Sequence, residues 1–207
     1  MKILVLIFQG LEAEALFGNV HLGTLHRLMD LGCFGRLQGE SAGWDILARQ
    51  EHDALTIVAF LEQADKKCAR FEDFPSLQAR LQTPDWDYCQ LTDSGLKRTP
   101  DSADDEYLRL DRELEDVLHY LSDDTILTII GEGCFVLVSG NNPLQGEHKD
   151  GSVADILPTV LELAGYPLPI GTLGESWVAG MQLENTSGLT DEEEAILRER
   201  LSGLGYI

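Results

Sequence analysis

Basic side chains are scarce in this sequence. Lysine and arginine total 15 against 36 aspartates and glutamates, a formal charge of −21. Phosphate backbones and anionic bilayers are held by basic surfaces, so neither nucleic acid nor a membrane is an expected partner. A phosphoester substrate would also be repelled unless a metal ion or local cations offset the charge. A solvated acidic surface accounts for the composition without any specific acidic function. Long apolar runs are missing too. Ile3–Phe8 is too short for a signal segment or a membrane span, and nothing else approaches that length. Cytoplasmic residence is the expectation. The four cysteines, Cys33, Cys68, Cys89 and Cys134, form no CxxC pair and no zinc spacing, and are expected to be reduced, mostly buried thiols. No P-loop, GxGxxG, HExxH, GxSxG or tandem repeat is present.

What is present suits a sizeable core. Hydrophobic residues make up 43% of 207 residues, enough for one domain spanning 1–207 with a short polar excursion near 62–84. Ile3–Phe8, Ala54–Phe60, Trp86–Leu91, Thr125–Ile130 and Cys134–Ser139 have the short apolar pattern of buried strands. Leu25, Leu28, Met29 and Leu31 give one helical face, and Tyr107, Leu110, Leu114, Val117, Leu118 and Leu121 another. Ser152 and Asp155 have capping-box spacing before the apolar face of Ile156, Val160, Leu161 and Leu163. Thr190 and Glu193 repeat that spacing near the C-terminus. Pro75 breaks or begins an element inside the polar excursion. The pattern is that of an α/β protein, in which chemistry sits where strands end and loops begin.

Several stretches carry a resemblance. Gly133-Cys134-Phe135-Val136-Leu137-Val138-Ser139-Gly140, Asp155-Ile156-Leu157-Pro158-Thr159-Val160-Leu161 and Gly165-Tyr166-Pro167-Leu168-Pro169 are similar to the C-terminal part of the alkaline phosphatase superfamily, type I phosphodiesterase/nucleotide pyrophosphatase branch. Leu25–Leu37 and Tyr107–Leu121 resemble further scaffold elements of that family, and Trp44–Ala48 its W-x-x-L helix. The ending Leu204-Gly205-Tyr206-Ile207 resembles the family's usual C-terminus, so the chain is expected to be complete at both ends. The resemblance implies a central, mostly parallel sheet with helices on both faces, an alkaline phosphatase-like core reduced in size.

Members of that family work with two metal ions and a Thr or Ser nucleophile. At the matching positions this chain departs from the pattern. Gln9-Gly10 stands where a metal-binding Asp ends the first strand. Ile130-Gly131-Glu132-Gly133 replaces Ser-Asp-His-Gly. Asp93 matches a ligand, but Lys97 stands where the partner His belongs. Only 38–43 separate Leu37 from Trp44, so the nucleophile segment is missing, and Ser41 is the one hydroxyl left there, a weak catalytic candidate better explained as a helix N-cap. His148, with Glu147 and Asp150, falls after the strand instead of before it and reads as an exposed turn. His21 and His26 are five apart and do not share a helical face.

Two functional expectations follow, with a third close to the first. The chain is a shortened homologue that has lost the two-metal site and the nucleophile, needs no cofactor, and acts by binding a protein or a small ligand, with a protein partner or self-association expected. Alternatively, Asp93, Glu132, Glu12 and His148 gather at the strand ends as a rebuilt site for Mg, Mn or Zn, and the chain hydrolyses phosphoesters. The third is a purely structural α/β domain that serves assembly.

Overall fold

A computed structural model describes residues 1–19, 21–39, 44–49, 54–94, 103–140 and 143–181. Among these, nine strands and six helices follow in the order β1 (Lys2–Glu12), α1 (Ala13–Gly18), α2 (Gly23–Leu31), β2 (Cys33–Gln38), β3 (Ile46–Arg49), β4 (Ala54–Thr56), α3 (Ile57–Gln63), β5 (Cys68–Phe71), α4 (Phe74–Leu81), β6 (Tyr88–Asp93), α5 (Ala103–Leu118), β7 (Thr125–Glu132), β8 (Cys134–Val138), β9 (Gly146–Ser152) and α6 (Val153–Leu163). Seven strands form one sheet in the order β5-β6-β1-β7-β8-β2-β9; β3 and β4 pair separately. Every neighbouring pair in the large sheet is parallel except the two made by β8.

The central strand β1 shows why the fold is two-sided. Ile3, Val5 and Ile7 enter one apolar cluster, and Leu4, Leu6 and Phe8 enter the other. A continuous apolar run is what a parallel strand covered on both faces requires. Helices α3 and α6 cover the first face, and α1, α2, α4 and α5 the second. The mostly parallel α/β sheet with helices on both faces is therefore as the sequence implies. No helix among the described residues is long and apolar enough to cross a membrane.

Four local expectations are corrected. Residues 46–49 form a strand paired antiparallel with β4, not a helix. Only Ala54–Thr56 of the expected second strand is extended; Ile57 begins α3, capped by the Thr56 hydroxyl accepting from Ala59 N–H at 3.2 Å. The polar excursion contains the unexpected edge strand β5; Pro75, read as breaking or beginning an element, does stand at the start of α4, whose N-cap Asp73 accepts from Ser76 N–H at 2.8 Å. The polar run 146–152 is an edge strand parallel to β2, not a turn. Thr190, Glu193 and the rest of the tail lie outside the described residues.

The D-I-L-P-T stretch does structural work on α6. Asp155 Oδ2 accepts from Ser152 N–H at 2.9 Å, completing the capping box, and its Oδ1 accepts from Glu175 N–H at 2.8 Å. Pro158 cannot donate to the Ala154 carbonyl, and Gly174 packs there so closely that a Cβ would lie 2.4 Å from that oxygen. Thr159 Oγ1 donates to Asp155 O at 2.7 Å and accepts from Trp177 N–H at 3.0 Å. The segment after α6 is thus seated on the helix by Asp155 and Thr159.

Candidate functional site

The C-terminal ends of β1, β6 and β7 meet in the middle of the sheet, the position where open α/β sheets place ligands. Phe8 of β1 pairs with Asp93, the last residue of β6. Beyond it β1 does not turn away. Ile7 is level with Ile130 and Glu12 with Glu132, so five residues of β1 span two of β7 and three are extra. The excess crosses the strand ends as a bulge. Gly10 makes the bend possible, with φ of 90° in the left-handed region open to glycine.

This crossing segment is tied down. Gly10 N–H donates to Glu132 Oε1 at 2.9 Å, and Gly10 O accepts from the Tyr107 hydroxyl at 3.2 Å. Leu11 is fully buried in the core. Its carbonyl accepts from Cys134 Sγ at 3.6 Å and lies against Gly131, where a Cβ would approach it to 2.4 Å. Burial pushes the Cys134 thiol up to about 12, so it stays protonated and donates. Gly131 and Glu132 are therefore part of β7, not an interruption between strands, and Gly133 (φ 72°) makes the turn into β8.

Asp93 is 8% exposed, and its Oδ2 accepts from Arg109 Nη2 at 3.5 Å. The same guanidinium donates through Nε to Glu106 Oε2 at 3.1 Å. The Arg109 guanidinium thus lies against one oxygen of that carboxylate, and a metal ion bound there would meet a like charge. Glu12, the residue before α1, is half-buried. Glu14 is exposed and paired with Arg36 at 2.9 Å; the Arg36 hydrogen bond holds its carboxyl below the usual value.

His148 is elsewhere. It lies on β9, three strands from β7 and five from β6, which at about 4.8 Å per step is roughly 14 and 24 Å across the sheet. Its ring lies 4.5 Å from Trp177 and 6.4 Å from Phe135, centroid to centroid. The structure therefore brings Glu12 and Glu132 into register, places Asp93 nearby in an ion pair, and leaves His148 in an aromatic stack. Ser41 and Lys97 lie outside the described residues. Among the described residues, no three His, Cys, Asp or Glu side chains group closely enough to hold a metal ion.

Sequence reasoning missed the residues that close the site: Leu11, Tyr107 as a hydroxyl donor, and Arg109. Leu11 stands alone between Gly10 and Glu12 and has no periodicity to mark it as core. Arg109 lies two residues after Tyr107 on an otherwise regular amphipathic helix, where a charge is ordinary. No family model matches the sequence, and no curated protein matches it either.

Proposed function

We propose that this chain is a shortened, divergent relative of the alkaline phosphatase superfamily, type I phosphodiesterase-like, that has lost the two-metal site and the nucleophile and acts by binding a protein. The observation that carries this reading is the closed strand end. In the two-metal mechanism the cations hold the attacking and leaving oxygens in line, and they need a rim of free carboxylates and imidazoles. Here Leu11 occupies the rim, Glu132 accepts from Gly10 N–H, and Asp93 is paired with Arg109. The mostly parallel sheet with β8 antiparallel is compatible with the scaffold that the motifs resemble.

The test is metal content of the purified protein together with hydrolysis of bis(p-nitrophenyl) phosphate, with zinc, manganese and magnesium each supplied. The expected result is no stoichiometric metal and no turnover above a heat-denatured control. Two equivalents of tightly held metal with turnover would sink the reading. The rebuilt carboxylate site makes an opposite forecast: one equivalent of metal, with turnover lost in Glu132→Gln.

A further inference from the structure

We infer that the apolar cleft between the C-terminal ends of α2 and α5 docks a partner-protein segment that presents an apolar side chain flanked by lysine or arginine. The inference rests on the reading that the chain acts by binding, and it names the surface and the partner's chemistry. The cleft lies at the opposite end of the sheet from the closed strand ends, where β7 begins and β8 finishes. It holds about 470 Å³; Leu28, Leu31, Leu118 and Leu121 give it an apolar wall, and Ser122 and Thr125 are among the polar residues that line the rest. Leu31 is 61% exposed at the end of α2, one of the few large apolar side chains so placed among the described residues. Single exposed leucines are ordinary; this one stands at the mouth of a recess whose wall carries three further leucines.

Charge selects the occupant. Asp123 lines the cleft, and none of the described lining residues is basic. Asp30 adjoins Leu31, and Glu115 and Asp124 adjoin the α5 side; all three are exposed, as is Arg27 one turn before Leu31 on α2, while Asp116 lines a separate pocket with Arg109 and Arg112. A whole-chain charge of −21 adds a field of the same sign. An acidic partner, a second copy of this chain included, would bring like charge to this rim, whereas a basic amphipathic segment would be steered to it and release its counterions on docking. An apolar anchor in a groove with complementary rim charges is the usual division between affinity and specificity in helix-in-groove recognition.

The experiment uses the full chain and fluorescence anisotropy. The probe is a labelled helical peptide with leucines on one face and lysines on the other; the control peptide carries glutamates instead of lysines. Leu31→Glu adds negative charge, so unspecific attraction would rise, yet we expect roughly tenfold or weaker binding of the Leu/Lys peptide. Asp123→Lys should weaken binding far more than Glu72→Lys, which makes the same charge change beside the distant β5 edge. All three variants alter exposed positions, and an unchanged melting temperature verifies their fold. Binding retained in Leu31→Glu, equal losses in Asp123→Lys and Glu72→Lys, or equal binding of the glutamate peptide would overturn the inference. So would dimerisation that Leu31→Glu abolishes, which assigns the cleft to a second copy. Stronger competition by a peptide of residues 182–207 than by the Leu/Lys peptide would assign it to the chain's own tail, with the same result. Metal content and phosphodiester turnover are read separately, so failure here and failure of the proposed function are distinguishable.

Discussion

At the scale of single residues, the closed strand end depends on one missing side chain. Gly131 lets the Leu11 backbone lie against β7, and a Cβ there would fall 2.4 Å from Leu11 O and 2.7 Å from Cys134 Sγ. Gly131→Ala forces the plug or the thiol to move, an overpacking cost of about 1–3 kcal/mol. A urea titration should show a lower midpoint at unchanged slope. The thiols give a second residue-scale forecast. Burial pushes Cys134 up to about 12 and Cys89 up to about 11 from an ordinary 9.0. A raised thiol pKa means the folded state holds its proton longer than the unfolded chain. The associated stability is complete below pH 9 and is lost as pH rises toward 11–12. Stability should fall through that window, and less steeply in Cys134→Ser, which keeps a donor for Leu11 O and does not titrate there. At this scale the sequence marked Asp93 as a strand-end acid and the capping pair Ser152 and Asp155. It could not mark Leu11 or Arg109, because closure depends on a bulge in register between strands far apart in the chain.

At the scale of elements, legibility followed burial. β1, β6, β7 and β8 are covered on both faces, and their apolar runs announced them. β9 (Gly146–Ser152) is an edge strand that exposes Glu147 and Lys149, charges of the kind that keep an edge from pairing with other chains. No apolar alternation survives in such a strand, so it looked like a turn. In α6 the Asp155 and Thr159 positions carried a family resemblance, and their physical role is to seat the segment that follows. Thr159→Val keeps the shape but removes the acceptor for Trp177 N–H, leaving a part-buried donor unpaired. The expected loss is about 1–3 kcal/mol. Trp177 packs against both Phe135 and His148 in a three-ring cluster, with ring centroids 4.6 and 4.5 Å away. Its release should therefore appear as a red-shifted tryptophan emission in folded Thr159→Val, measured against the unchanged contributions of Trp44 and Trp86. An unshifted spectrum with unchanged stability would show that Thr159 does not hold the segment.

At the scale of the whole molecule, the arithmetic of charge sets behaviour that no single contact sets. Even if every one of the 15 basic residues paired with a different acid, 36 − 15 = 21 carboxylates would remain without a basic partner. The ion pairs of Arg36 with Glu14, Lys67 with Asp85 and Arg70 with Asp45 are largely exposed, and solvent screens such pairs so that they contribute little. Repulsion spread over the surface therefore outweighs local attraction. Raising NaCl from about 0.01 to 0.15 M shortens the screening length from roughly 30 to 8 Å. That change weakens the long-range repulsion more than the short pairs. The folded chain, in which the acids are closest together, gains more than the unfolded one, and the melting temperature should rise. A gain of 1 kcal/mol corresponds to about 2–4 °C for a chain of this size. Glu115→Lys combined with Asp116→Lys on the exposed side of α5 removes four units of negative charge and should flatten the salt dependence. A melting temperature that falls with salt would mean that the few ion pairs, and not the surplus of carboxylates, dominate the electrostatics of the fold.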